Sequence, residues 1–259
     1  MTAMNHSPNS IMSASINPTV GAGAFRNGFR PITVKLDRES TVVFAVQPNS
    51  LAAEQYRQLR RNLSEHYPEG GTLLITSPAQ AEGKTLNATN LAWCLAESGT
   101  PTLLLECDLR RPTLSQVLHC TIPVGVESVL RGEAEPKAAV AAIDGLPLHL
   151  AAVSQPVHDP SQMLNSASAR RFLDWARGEF HWVVIDAPPV LPASDTMELC
   201  PLADAVLLVV RVRVTPRELV EKSMKLLGSH LRGIILNEAS LCWDSYHRYL
   251  ASYYGPRPK

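Results

Sequence analysis

The stretch Gly71–Glu97, GTLLITSPAQAEGKTLNATNLAWCLAE, decides how the rest of the chain is read. Gly71–Ser77 is a short apolar run of the kind that forms a buried strand, and a helix is expected from Lys84 to about Glu97. Between them, Gly83-Lys84-Thr85 ends a loop of the G-x-x-x-x-G-K-[ST] pattern, with Pro78 standing where the first Gly usually does. Such a loop binds phosphate because successive backbone N–H groups and a helix N-terminus converge on it, while Lys supplies a point charge and Ser/Thr binds Mg²⁺. Ala81, Glu82, Gly83, Lys84, Thr85 and Leu86 are therefore the candidate nucleotide-binding residues. The bland alternative is a chance Gly-Lys-Thr at a helix start, which the strand–loop–helix context argues against.

Outward from this loop, continuous apolar strands alternate with helices. Helices are expected over Ser50 to about Tyr67, with Ser50 as the cap, over Ser161 to about Arg177, and over Pro216 to about Gly228. Further strands read at Thr100–Cys107, Leu146–Val153, His181–Pro189, Ala203–Val212 and Arg232–Ala239. The pattern predicts an α/β protein with a mostly parallel, doubly wound sheet. The domain plan is a Ser/Asn/Pro/Gly-rich disordered tail over residues 1–40, a helical arm over 41–70, the P-loop domain over 71–240 and a tyrosine-rich tail over 241–259.

Acids collect where the strands end. Glu106 and Asp108 close "LLLECDLRRP", and Asp186 closes "VVIDAPP". Ligands of open α/β sheets bind beyond the carboxyl ends of strands, so all three can converge on the loop. A solvated strand-end acid or a helix cap is the plainer reading of each. Asn237, ending "GIILN", is a candidate adenine contact or equally a strand-end cap.

Composition removes other classes. With 24 Lys plus Arg against 24 Asp plus Glu, the chain lacks the basic surplus of a protein that grips nucleic acid with its whole surface. Its 5 cysteines form no Cys-x-x-Cys pair and read as small hydrophobes in a reducing cytoplasm. No apolar run approaches the ~18–20 residues that cross a bilayer, and no secretory signal is visible.

Taken together, "EGKT…NLA", "LLLECDLRRP", "VVIDAPPV" and "ADAVLLVVR" resemble the bacterial tyrosine kinases of capsule and exopolysaccharide systems, from about Ser50 to the C-terminus. "DPSQMLNS" (Asp159–Ser166) is similar to a further segment of that family. The resemblance implies that Lys84 and the loop amides bind the β/γ-phosphates of ATP. Thr85, Asp108 and Asp186 would hold Mg²⁺. Glu106 would accept a hydrogen bond or proton from the incoming tyrosine, and Arg110 would orient the acids or join subunits. Two departures stand out. Gln80-Ala81 replace the family's usual Pro-Gly, and Ala takes positive φ only at a cost. Glu106 replaces an Asp, and one extra methylene moves a carboxylate by about 1 Å.

Two outlying features extend the resemblance. Glu54, Arg57 and Arg60 share one helical face, an ordinary salt-bridge pattern that in the family contacts a neighbouring subunit and closes a ring. Four of the 6 tyrosines (Tyr246, Tyr249, Tyr253 and Tyr254) lie in the last fourteen residues. Helical spacing would suit an aromatic face packed on the core, but Phe and Leu would serve there as well as Tyr. The family carries such a cluster and phosphorylates it. The expectation is thus a tyrosine autokinase in a homo-oligomeric ring, regulating polysaccharide polymerisation and export. It would be cytoplasmic and recruited to the inner membrane face by a separate membrane chain-length-determinant or adaptor protein with an activating cytoplasmic segment. The alternatives are a positioning ATPase of the ParA/MinD kind and a weakly active nucleotide-binding scaffold. Ala79 stands where the positioning ATPases carry an extra loop lysine.

Overall fold

The computed structural model describes residues 28–36 and 40–239. Its strands are β1 (Arg30–Ile32), β2 (Gly71–Thr76), β3 (Thr102–Glu106), β4 (Ala141–Ile143), β5 (Leu148–Ala151), β6 (Trp182–Asp186), β7 (Ala205–Arg211) and β8 (Leu231–Asn237). They form one sheet in the order β1-β4-β5-β3-β6-β2-β7-β8. Every neighbouring pair is parallel except β4 with β5, which run antiparallel. The helices are α1 (Val43–Val46), α2 (Leu51–His66), α3 (Lys84–Glu97), α4 (Leu114–Val117), α5 (Val126–Leu130), α6 (Ser161–Leu164), α7 (Ala167–Glu179), α8 (Asp195–Leu199) and α9 (Arg217–Leu227).

The central strands are apolar throughout because both faces are covered. Leu73 and Ile75 pack into one core with Leu91 and Leu95 of α3, while Leu74 between them joins the other core with Phe172 and Leu173 of α7. A strand with period-2 side chains sandwiched this way has no solvent face to keep polar. At the sheet edge β8 reverts to alternation, with Ile234 and Leu236 exposed.

Several expectations need correction. The helix expected over Ser161 to Arg177 breaks in two, because the Ser166 hydroxyl accepts from the Ala169 N–H at 3.1 Å and starts α7 afresh. Within the stretch expected to be a disordered tail, residues 28–36 are described and pack on the domain. Phe29 is buried against His149 and Phe180, at ring-centroid distances of 4.8 and 5.7 Å, and β1 pairs with β4. Three-residue strands such as β1 and β4 carry too little pattern to be read. No helix among the described residues is long and apolar enough to cross a membrane.

Candidate active site

β2 sits between β6 and β7, and β3 lies on the far side of β6. The register aligns Ile75, Glu106 and Asp186 across the three strands, so the loop after β2 and the acids after β3 and β6 share one end of the sheet. The loop then enters α3 through Gly83, which stands at φ 90°. Ala81 has φ 60°, so it accepts the left-handed geometry expected of a glycine and carries the strain locally.

The loop is tied from several sides. Asn237 Nδ2 donates to the Glu82 carbonyl at 3.0 Å, and Glu82 Oε2 accepts from the Thr215 hydroxyl at 2.7 Å. Asn87 Nδ2 donates to the Gly83 carbonyl at 2.8 Å. Tyr56, which burial pushes well above its ordinary pKa, donates to Asn87 Oδ1 at 2.8 Å. Arg111 Nη1 reaches Gln80 Oε1 at 2.5 Å and ties the segment after β3 to the loop. Asn237 thus buttresses the loop with the end of β8; Thr215, Asn87, Tyr56 and Arg111 were not flagged from sequence.

Lys84 is the centre of the charge arrangement. Its Nζ lies 2.8 Å from Asp108 Oδ2 and 3.8 Å from Asp186 Oδ1. Burial works against its charge, but Asp186 and Asp108 outweigh that and hold the ammonium above its ordinary pKa. Asp186 is fully buried, and neither of its oxygens is held in a hydrogen bond of regular geometry. Burial pushes its carboxyl up, with Lys84 and the Thr85 hydroxyl pulling against that. A fully buried carboxylate whose nearest cation, Lys84, stands 3.8 Å away is costly unless a closer cation completes it.

That orphaned acid is the observation against which Mg²⁺ is tested. Mg²⁺ takes oxygen ligands and commonly needs only one or two carboxylates besides substrate phosphates and water. Thr85, Asp108 and Asp186 offer a hydroxyl and two carboxylates at the phosphate loop, and they fit that requirement. No cluster of three or more His, Cys, Asp or Glu forms a cage among the described residues, and Mg²⁺ does not require one.

Glu106 is anchored by backbone groups from three segments. Its Oε1 accepts from the N–H groups of Thr113 and Leu114 at 2.7 and 2.8 Å, and its Oε2 accepts from Val153 N–H at 3.0 Å. Burial pushes its pKa up to about 7, against the Val153 and Leu114 N–H groups, which favour the charged form. Three backbone N–H groups thus hold the carboxylate in place, two on Oε1 and one on Oε2. Arg110 is likewise occupied: it donates to Asp195 Oδ2 at 2.9 Å and to the His158 carbonyl at 2.7 Å, and it lies 3.6 Å from Asp159 Oδ1. Asp195, also missed in the sequence, accepts from Ser161 at 2.5 Å and binds the segment around α6 to α8.

The expected oligomerisation residues make contacts within this chain. Arg57 pairs with Glu54 and Glu97 at 3.6 Å, and Arg60 Nη1 donates to the Cys94 carbonyl at 2.9 Å. Tyr246, Tyr249, Tyr253 and Tyr254 lie outside the described residues.

Comparison with known proteins follows the same line. No family model matches the chain. The tyrosine-protein kinase YwqD of Bacillus subtilis is 30% identical over 216 residues, covering 82% of this chain and 91% of YwqD. The succinoglycan biosynthesis transport protein ExoP of Rhizobium meliloti is 31% identical over 217 residues, 81% of this chain but only 28% of ExoP. Among solved structures, the VpsO kinase domain superposes with a TM-score of 0.68 at 28% identity, covering 76% of this chain and 99% of that domain.

Proposed function

The chain belongs to the bacterial tyrosine kinases, and on that premise we propose that it transfers the γ-phosphoryl group of ATP to tyrosines of its own C-terminal cluster, in trans within a ring. The observation that carries the reading is Lys84 held between Asp108 and Asp186 at the start of α3, beside the Thr85 hydroxyl. Phosphoryl transfer asks little covalent chemistry of a protein and depends on positioning and charge.

In this reading the loop amides from Ala81 to Leu86 and the Lys84 ammonium bind the β- and γ-phosphates. The acids that now hold Lys84 release it to them. Thr85, Asp108 and Asp186 would hold Mg²⁺, which when bound supplies charge neutralisation at the phosphates. The tyrosine hydroxyl is oriented beside Asp108, whose Oδ2 is freed when Lys84 moves to the phosphates, and Asp108 takes its proton late in the transfer. Asn237 anchors the loop on the adenine side. Ring assembly brings one subunit's tail to the next subunit's site through the α2 face of Glu54, Arg57 and Arg60. Each added phosphate carries about −1.5 to −2 charges, so a multiply modified tail repels itself and leaves.

The cellular role follows from the resemblance and from ExoP's being a succinoglycan biosynthesis transport protein: regulation of exopolysaccharide or capsule export. A separate membrane protein with an activating cytoplasmic segment would recruit the chain to the membrane. That this chain matches 91% of YwqD but 28% of ExoP suits a unit used both nearly alone and joined to other parts.

A mixing experiment tests transfer in trans. A chain lacking residues 241–259 supplies an intact site, and a Lys84→Met chain supplies an intact tail. With Mg²⁺-ATP, and with the membrane partner's cytoplasmic segment present, the Lys84→Met chain should gain tyrosine phosphate. Phosphate appearing only when site and tail share one chain would overturn the trans reading.

A further inference from the structure

Thr113 immediately precedes α4 and occupies its N-cap position, where a threonine ordinarily turns its own hydroxyl onto the first free N–H groups of the helix. It does not do so here. The capping is done instead by Glu106, from the end of β3, whose Oε1 accepts the Thr113 and Leu114 N–H groups at 2.7 and 2.8 Å. The Thr113 hydroxyl is thereby released, and it donates to Thr85 Oγ1 at 3.2 Å. Glu106 is further fixed by Val153 N–H at 3.0 Å, so the end of β3, the start of α4 and the segment after β5 meet at one carboxylate.

From this chain of contacts we infer that Thr113 is a positioning residue for the Thr85 hydroxyl, and that Glu106 acts through Thr113 rather than on the substrate. A threonine hydroxyl rotates about one bond, and an oxygen that must present a lone pair to a cation loses ordering entropy if nothing fixes it. A donated hydrogen bond from Thr113 occupies one lone pair of Thr85 Oγ1 and restricts that rotation. The longer side chain at 106 has a physical use in this scheme. Its carboxylate reaches backbone groups seven and eight residues ahead, a span that the shorter aspartate would leave open by about one methylene. The inference rests on the phosphate-loop reading of Thr85, and it is independent of which tyrosine accepts phosphate.

The test measures binding of a fluorescent ADP analogue against Mg²⁺ concentration, in the full chain. Thr113→Val removes the hydroxyl at nearly constant volume, and Thr113→Ser restores it. Thr113→Val should raise the Mg²⁺ concentration needed for half-maximal binding about threefold to tenfold, the equivalent of one neutral hydrogen bond. Thr113→Ser should return close to the parent, and binding in EDTA should be the same for all. Glu106→Gln sets an amide NH₂ against backbone donors, so it should produce a similar Mg²⁺ shift. The Glu106→Gln/Thr113→Val double variant should add little to either alone, because both act on one contact. Unchanged Mg²⁺ dependence in Thr113→Val would overturn the inference. So would a Glu106→Gln chain that binds Mg²⁺-ADP normally and loses only phosphoryl transfer, the signature of a catalytic acid. Absence of kinase activity in the parent chain would count against the proposed function while leaving this binding measurement fully readable.

Discussion

Gly83 offers a perturbation whose cost can be worked out from two contacts. Its φ of 90° lies where an L side chain is strained, and alanine there should cost about 1–2 kcal/mol for the backbone alone. The new Cβ would also stand 2.2 Å from Asn237 Nδ2. That atom is the end of a rotatable side chain, so it can swing away. In doing so it gives up its 3.0 Å bond to the Glu82 carbonyl, worth about 0.5–1.5 kcal/mol. Gly83→Ala should therefore destabilise by about 2–3 kcal/mol, and Asn237→Ala alone by about 1 kcal/mol. Because both variants lose the same hydrogen bond, the double variant should be about as unstable as Gly83→Ala, a coupling of about 1 kcal/mol. Urea unfolding of the four chains without nucleotide measures this. Strict additivity would show that the alanine methyl never disturbs Asn237, and would refute the account of how β8 buttresses the loop.

Other outcomes follow from the same geometry. Ala81→Gly removes the strain at φ 60°, about 1–2 kcal/mol, but adds about 0.4–1 kcal/mol of unfolded-chain entropy; urea unfolding should show a net gain of up to about 1.6 kcal/mol. Asp186→Asn should stabilise the nucleotide-free chain while abolishing Mg²⁺-dependent ADP binding. Since burial raises the Asp186 pKa above its ordinary 3.8, its charge costs more as pH rises from that value, and the stability gain should be smaller at pH ~3 than at neutral pH. His149 is buried among Phe29 and Phe180 with its pKa lowered to about 4, so it penalises folding increasingly as pH falls from the unfolded value of 6.5 towards 4. His149→Phe should remove a penalty of about 2 kcal/mol at pH ~5 and show little of it at pH ~8, read from unfolding curves at both.

Much of this arrangement is legible in the sequence, for reasons that differ by element. α3 begins at Lys84 and ends at Glu97 as read, because the Gly-Lys-Thr junction fixes its start and the following residues are apolar enough to be buried on nearly all sides. Ser50 caps α2 as expected. The break at Ser166 was missed because "LNSASAR" is helix-compatible residue by residue, and only the hydroxyl's choice of the Ala169 N–H ends one helix and starts another. The positions of Lys84, Asp108 and Asp186 at strand ends could be inferred from motif spacing. What Glu106 touches could not, since its partners lie 7, 8 and 47 residues away and are backbone groups with no sequence signature. Arg110 reads as part of a motif, yet its partner Asp195 is 85 residues on, in a helix too short to announce itself.

The central claim is that Lys84, between Asp108 and Asp186, directs phosphate to the tyrosines that follow β8. Peptide mass spectrometry before and after Mg²⁺-ATP tests it most directly, with Lys84→Met in parallel and with the membrane partner's cytoplasmic segment both present and absent. The account predicts Lys84-dependent phosphate on the peptide spanning Tyr246 to Tyr254. ATP bound without any tyrosine phosphate, even with the partner present, would contradict it and leave a nucleotide-binding scaffold, while hydrolysis stimulated by DNA or lipid instead would point to a positioning ATPase.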